Sequence, residues 1–232
     1  MPPTTRRKRG SVGPRPGKKL LAHDRSLGIR YVAGADEAGR GCLAGPLVAA
    51  AVVLDIDSMV GPDAAVFGHL NDSKKVAPPM RDRLYDAVLA HAAAWSVVSF
   101  SPATIDRVGL HKTNLAALRT AFDQLSVPYG IELVDGFDLG YRRVESRRMI
   151  KGDATSASIA AASIIAKVTR DRLMHRLDML DPRWNFTEHV GYATPEHHER
   201  IRVHGITRYH RLSFASSAYE TAGTGTPPAT DS

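Results

Sequence analysis

The chain has a single cysteine among its 232 residues, Cys42. An intrachain disulfide is excluded, and one thiol fits a reducing cytosol. No stretch approaches the roughly 18 uninterrupted apolar residues of a membrane span. The basic N-terminus lacks the apolar segment of a secretory signal. A cytoplasmic protein with no membrane partner is the expectation. No Gly-x-x-x-x-Gly-Lys-Ser/Thr phosphate loop and no His-Glu-x-x-His zinc motif occurs. Histidines do gather late in the chain, at 189, 197, 198, 204 and 210, but without a second cysteine their spacing is poor for metal. No internal repeat is found.

Acids are missing from residues 1–19, which carry seven of the 31 basic side chains. The remainder holds 24 basic and 24 acidic residues, so the formal charge of +7 belongs to the tail. The charge therefore does not make the domain a nucleic-acid binder; that depends on where charges sit. Residues 1–19 read as a disordered arm, either a non-specific nucleic-acid contact or a solvated tail. Residues 20–215 read as one domain, since 43% apolar residues supply a sizeable core. Residues 216–232, rich in Ser, Thr, Gly and Pro, read as a second disordered tail.

Within the domain, a short helix or turn is expected over 20–28 and strands near 30–36 and 46–55, antiparallel because the loop between them is short. A loop follows over 57–72. A helix is expected from Pro78 to about Ala94, a strand over 95–100, and a helix capped by Ser101 with Pro102 at its first position. Residues 111–125 read as a helix, with Leu115, Leu118 and Phe122 on one side. Strands are expected at 131–135 and 144–150, then a long helix from Ala154 to about Leu180 that Pro182 follows. Thr194 and Pro195 open a last helix. Strands alternating with helices give an α/β layer fold with a mixed sheet. Trp95, Trp184 and the Ala-rich helix read as core.

Candidate chemistry starts where the first strand ends, on Asp36 and Glu37, followed by Gly39-Arg40-Gly41. Carboxylates suit hard cations such as Mg²⁺ and Mn²⁺. The glycines let backbone approach a phosphate or sugar beside them. The alternative is a hairpin turn with solvated acids. Asp135 ends a later strand and Asp153 precedes the long helix, so four acids at element ends make a plausible two-metal site. Neighbours on a strand point to opposite faces. Asp36 and Glu37 can share a site only if the strand bends or ends there, unless Glu37 acts through its backbone carbonyl.

The segments Ala33–Gly41 with Gly45-Pro46-Leu47, Asn71-Asp72-Ser73-Lys74-Lys75, Val134-Asp135-Gly136, Lys151-Gly152-Asp153, Ser156–Asp171, Gly191–His197 and His210–Phe214 together resemble, in order, the motifs of type 2 ribonuclease H (ribonuclease HII). The resemblance implies a ribonuclease H-like mixed central sheet flanked by helices, with a small C-terminal helical region. It implies hydrolysis of RNA in RNA–DNA hybrids and incision 5′ to single ribonucleotides in duplex DNA, in primer removal and repair. Asp36, Glu37, Asp135 and Asp153 would then be catalytic and bind Mg²⁺ or Mn²⁺. Gly39, Arg40 and Gly41 would recognise the 2′-hydroxyl, the group that separates RNA from DNA. Tyr192 would stack on the sugar, its alternative being a half-buried core tyrosine. Ser73, Lys74 and Lys75 would bind substrate, the lysines at phosphates; a solvated loop is their alternative. Ser156 and Ser158 are expected to cap the long helix or bind phosphate, and Lys167 to face the site or snorkel outward.

Type 3 ribonuclease H is the nearest rival, but it carries an N-terminal substrate-binding domain and Glu at the fourth acidic position, where this chain has Asp153. A hybrid-binding protein without catalysis is opposed by the presence of all four acids. A monomer is expected.

Overall fold

The computed structural model describes residues 15–61, 63–214 and 216–220. Helix α1 (Gly17–Ser26) leads into β1 (Tyr31–Ala38) and β2 (Leu47–Asp55). A 3₁₀ helix (Asp63–His69) precedes α2 (Pro78–His91), β3 (Ala94–Phe100), α3 (Pro102–Val108), α4 (Leu110–Asp123), β4 (Ile131–Asp135) and β5 (Ser146–Met149). A 3₁₀ turn (Gly152–Ala154) opens into α5 (Ala157–Leu180). The C-terminal part holds a 3₁₀ turn (Pro182–Trp184), α6 (Phe186–His189), α7 (Pro195–His204) and α8 (Ser217–Glu220).

The sheet has the order β3-β2-β1-β4-β5. β1 pairs antiparallel with β2, and β2 with β3; β1–β4 and β4–β5 are parallel. The central strands are apolar on both faces because helices cover both. Val32, Val52, Leu54, Ile131 and Leu133 pack with Ile159, Ile164 and Ile165 of α5. Ala33, Ala35, Ala51, Val53 and Val134 pack with Ala117, Leu118 and Phe122 of α4. The first ten residues of α5 are buried all round, as a helix wedged between a sheet and its neighbours must be. Gly34 permits this packing: a Cβ there would run into the backbone of Ser158 and Ile159.

Several boundaries differ from the sequence expectations. α1 begins at Gly17, so Lys18 and Lys19 belong to a helix rather than to a tail. Its Asp24 is fully buried and accepts from Ser158 N–H (2.9 Å) and Ser156 Oγ (3.1 Å). Ser156 also caps α5 by accepting from Ile159 N–H. Both serines are thus spent on the helix end, and neither faces a phosphate. α5 itself starts at Ala157, because residues 152–154 form a tighter turn. The expected loop over 57–72 contains the 3₁₀ helix. At the other end, α8 lies inside the region read as a tail. Tyr219 packs on Leu43 and Ile201, and its hydroxyl donates to the Leu43 carbonyl. The remaining parts of the two expected tails, 1–14 and 221–232, lie outside the described residues. Ser101 and Thr194 cap their helices as expected, each accepting from the N–H three residues on.

Candidate active site

Strand register brings the first two acids together. The last ladder pair between β1 and β4 is Ala35 with Val134, so Asp36 and Asp135 follow it side by side at the ends of parallel strands. Both continue the alternation that points Val32 and Leu133 at α5. Asp36 is 9% exposed and its Oδ1 accepts from Glu37 N–H at 2.7 Å. Asp135 Oδ1 accepts from Gly152 N–H at 2.6 Å. That bond ties the strand end to the 3₁₀ turn carrying Asp153. The turn is entered through Lys151 in the left-handed conformation (φ 55°), a strained placement for a side-chain-bearing residue.

β1 does not end at the acid pair, as the sequence suggested; it continues to Ala38 because Val48 and Ala49 extend the β2 ladder. Glu37 therefore alternates to the α4 face. There its Oε2 is buried without a hydrogen-bond partner. Opposite stands a residue the sequence reading missed, Asn114 of α4, fully buried with both amide atoms unpartnered. The amide lies near enough to favour the ionised Glu37, although no hydrogen bond closes. Asn114 lies one turn before Leu118 on the apolar face of α4. An amide in that stripe was the available signal.

The four acids feel one another. Burial, then the charges of Glu37, Asp135 and Asp153, holds the Asp36 carboxyl well above the usual range. Burial, opposed by Arg40 and aided by Asp135, pushes Glu37 up to about 7. Burial, then Asp135 and Asp72, pushes Asp153 up to about 6, and burial raises Asp135. Among the described residues no three His, Cys, Asp or Glu side chains form a ready-made metal cage. A cleft of about 410 Å³ carries Lys74, Lys75, Arg148 and Lys151, and of the four acids Asp135 and Asp153 line it. These oxygen-only side chains are the groups that could hold a hard divalent cation.

Beside the acids runs the glycine loop. Gly39 has φ +87°, and a Cβ there would strike the Arg170 side chain. Arg40 is exposed, with its guanidinium 5.0 Å from the Phe137 ring. The loop is held from behind by two buried arginines. Arg170 donates to the carbonyls of Ala44, Pro46 and Val190 at 2.9–3.0 Å. Arg211 donates to those of Arg40 and Gly45 at 2.9–3.1 Å. Both are 0% exposed, and among the described residues neither has a carboxylate within ion-pair distance. Their hydrogen bonds go to backbone carbonyls, and burial lowers the Arg211 pKa to about 10.

Tyr192 adjoins this loop. The Gly191 carbonyl accepts from the N–H groups of Leu43 (2.9 Å) and Ala44 (3.3 Å). The Tyr192 ring is half-buried, with Lys167 Nζ 5.6 Å and the Arg170 guanidinium 5.9 Å from its centre. Lys167 turns inward rather than snorkelling: it is 13% exposed and bonds Asp171 at 2.8 Å. Lys74 and Lys75 are exposed at the cleft, Lys75 pairing with Asp72 at 3.3 Å. Ser73 is the expected ligand group that turns away. It is buried and accepts from Ser163 Oγ at 2.8 Å.

Comparison with known proteins identifies the family of the chain. The family model described as Ribonuclease HII matches residues 33–217. A ribonuclease HII of Salinispora tropica is 45% identical over 212 residues, covering 90% of this chain and 77% of the relative. One of Geobacillus kaustophilus is 45% identical over 201 residues, 85% of this chain and 74% of the relative. Among solved structures, the ribonuclease H2 of Pyrococcus horikoshii OT3 superposes with a TM-score of 0.68 at 26% identity, covering 83% of this chain and 96% of that one. The chain belongs to the ribonuclease HII family of ribonuclease H enzymes.

Proposed function

We propose that this chain is a metal-dependent endonuclease that hydrolyses the RNA strand of RNA–DNA hybrids and cuts duplex DNA 5′ to a single embedded ribonucleotide. Its products carry 3′-hydroxyl and 5′-phosphate ends. The observation that carries this reading is Asp36 and Asp135 side by side, with Asp135 bonded to the turn that bears Asp153, beside a loop clamped by Arg170 and Arg211. Four partly desolvated carboxylates repel one another, and the orphaned Glu37 Oε2 lacks a partner, so the set fits a hard dication. Mg²⁺ or Mn²⁺ held by the Asp36, Asp135 and Asp153 side chains, with Glu37 contributing through its backbone carbonyl because its side chain alternates to the α4 face, would supply a water of lowered pKa and neutralise charge at the phosphodiester.

The protein's own part is recognition and placement. Arg211 already engages the Arg40 carbonyl, so the remaining backbone groups of Gly39, Arg40 and Gly41 meet the 2′-hydroxyl. Tyr192 stacks on the sugar. Lys74 and Lys75 contact phosphates, and Ser73 supports them through its bond to α5. The chain acts as a cytosolic monomer in primer removal and ribonucleotide excision. No helix among the described residues is long and apolar enough to cross a membrane.

The test is cleavage of a labelled DNA duplex containing one ribonucleotide, with Mg²⁺, with Mn²⁺ and with chelator. A metal-dependent cut on the 5′ side, leaving 3′-hydroxyl ends, is expected. Cleavage confined to consecutive ribonucleotides would overturn the specificity assigned here, and binding without cleavage under either metal would overturn catalysis.

A further inference from the structure

Beneath Gly191 and Tyr192 lie three histidines that the cleavage chemistry does not use. His189, His197 and His210 are at most 5% exposed. The rings of His189 and His197 stack at 4.2 Å, and Phe186 packs against all three at 5.8–5.9 Å. Such rings in an aromatic cluster would ordinarily be packing and nothing more. Their polar atoms indicate otherwise.

Each ring nitrogen has a defined partner, and the obligate donors and acceptors force one tautomer throughout. Thr207 N–H donates to His210 Nδ1 at 3.0 Å. His210 must then carry its proton on Nε2, which faces His197 Nε2 at 3.2 Å. His197 Nε2 therefore accepts, and its proton sits on Nδ1, 2.9 Å from the Tyr192 carbonyl. Separately, Gly191 N–H donates to His189 Nδ1 at 3.2 Å, and His189 Nε2 donates to the Trp184 carbonyl at 2.8 Å. Neutral rings satisfy every bond. Burial, then neighbouring imidazoles, pushes His197 down to about 4 and His210 to about 3, so both stay neutral near pH 7.

The His189 bond and the far end of the His210–His197 relay fall on consecutive residues of an irregular segment, Gly191 and Tyr192. Val190 and Gly191 are both left-handed, at φ 41° and 83°, a path that a chain does not hold without external bonds. His189 takes the Gly191 N–H and His197 takes the Tyr192 carbonyl, while the Gly191 carbonyl is spent on the glycine loop. The backbone that carries the Tyr192 ring is thus registered against that loop by imidazoles.

We propose that His197, backed by His210, is a positioning residue for recognition of the substrate sugar, fixing Tyr192 through its carbonyl in one tautomeric state. The inference rests on the reading that Tyr192 meets the sugar. Its test is a double-mutant cycle on a duplex with one ribonucleotide, measuring KM and kcat separately with the thermal midpoint of each variant. His197→Gln removes the donor at the δ position and is expected to raise KM about tenfold with kcat within about a factor of three, because sugar contact is lost equally from ground and transition states. His197→Asn restores an amide donor at that position and should recover most of the KM. On a Tyr192→Ala background, His197→Gln should change neither constant further.

An equal fold loss in both backgrounds, or Asn performing no better than Gln, would overturn the relay and leave Tyr192's role standing. If Tyr192→Ala alone cleaves normally, the reading of Tyr192 falls and the relay with it. Should His197→Gln not fold, His210→Phe, close in shape and lacking the Nε2 proton, takes its place in the same cycle.

Discussion

Asp36 is a carboxylate buried among other carboxylates, and each raised pKa is a destabilisation of the charged state. The sign of its pH effect follows from proton counting. Asp36, Glu37 and Asp153 have folded pKa values above their unfolded ones, so the folded chain holds more protons between about pH 4 and 7. The contribution of these three groups to stability is greatest below that window and is lost as pH rises through it. Asp36→Asn keeps the acceptor for Glu37 N–H and removes the charge. In chelator at pH 8 its thermal midpoint should rise by a few degrees, about 1 kcal/mol corresponding to roughly 2–4 °C in a chain of this size. The gain should shrink as pH falls below the raised folded pKa of Asp36 and vanish below the usual carboxylate range. Cleavage should fall about a thousandfold, the loss of roughly 4 kcal/mol of charge stabilisation. A lower midpoint at pH 8 would assign Asp36 a structural bond instead. Asn114→Leu tests the other side of β1. Removing a buried, unpartnered amide should leave the midpoint unchanged or raised, because such groups carry a desolvation cost of about 1–3 kcal/mol. Cleavage should drop about tenfold as Glu37 loses an interaction favouring its ionised form. Unchanged cleavage would reduce Asn114 to packing. The placement of Asp135 and Asp153 at element ends could be read along the chain, since each stands beside a glycine, whereas Asp36 lies inside β1. Asn114, Arg170 and Arg211 could not be placed that way, because their partners are set by the tertiary fold.

Elements were legible where their pattern is local. Ser101-Pro102 and Thr194-Pro195 state a helix start in two residues, and the structure has both. α1 was less legible because its basic residues continue the charge run before it, and its partner is distant. That partner is the N-terminus of α5, 132 residues away, where Asp24 accepts from Ser156 and Ser158. A carboxylate there meets two donors and the positive end of a 24-residue helix. Asp24→Ala should cost about 1–3 kcal/mol, from the cap and the donors left buried. Denaturant titration should show a lower midpoint with an unchanged slope, and cleavage at 25 °C should be unaltered in the folded fraction. A loss of activity without a loss of stability would contradict a purely structural role. The extent of β1 was misread for a physical reason as well. The acid pair resembles a strand end, yet Ala49 and Val48 on β2 keep the ladder going past it.

At the scale of the whole molecule, charge and chain order matter more than single contacts. The first 14 residues hold four basic side chains and no acid. Deleting them, while sparing α1 and Asp24, should weaken low-salt binding to duplex DNA. It should also reduce the slope of log K against log salt by up to about 3. An unchanged slope would make the segment a bystander. Mixed sheet order could be inferred from strand and loop lengths, but the assembly of the glycine loop could not. Its clamps come from far along the chain, Arg170 at separations of 124 and 126 residues and Arg211 at 166 and 171. This has a consequence for biosynthesis. A nascent chain that has emerged as far as Asp153 displays all four acids and has neither arginine that clamps the glycine loop. Amides of residues 39–45 should gain exchange protection only in chains that extend past residue 211. The four acids thus leave the ribosome before either of the two arginines that hold the neighbouring loop in shape, and the loop is the last part of this site to set.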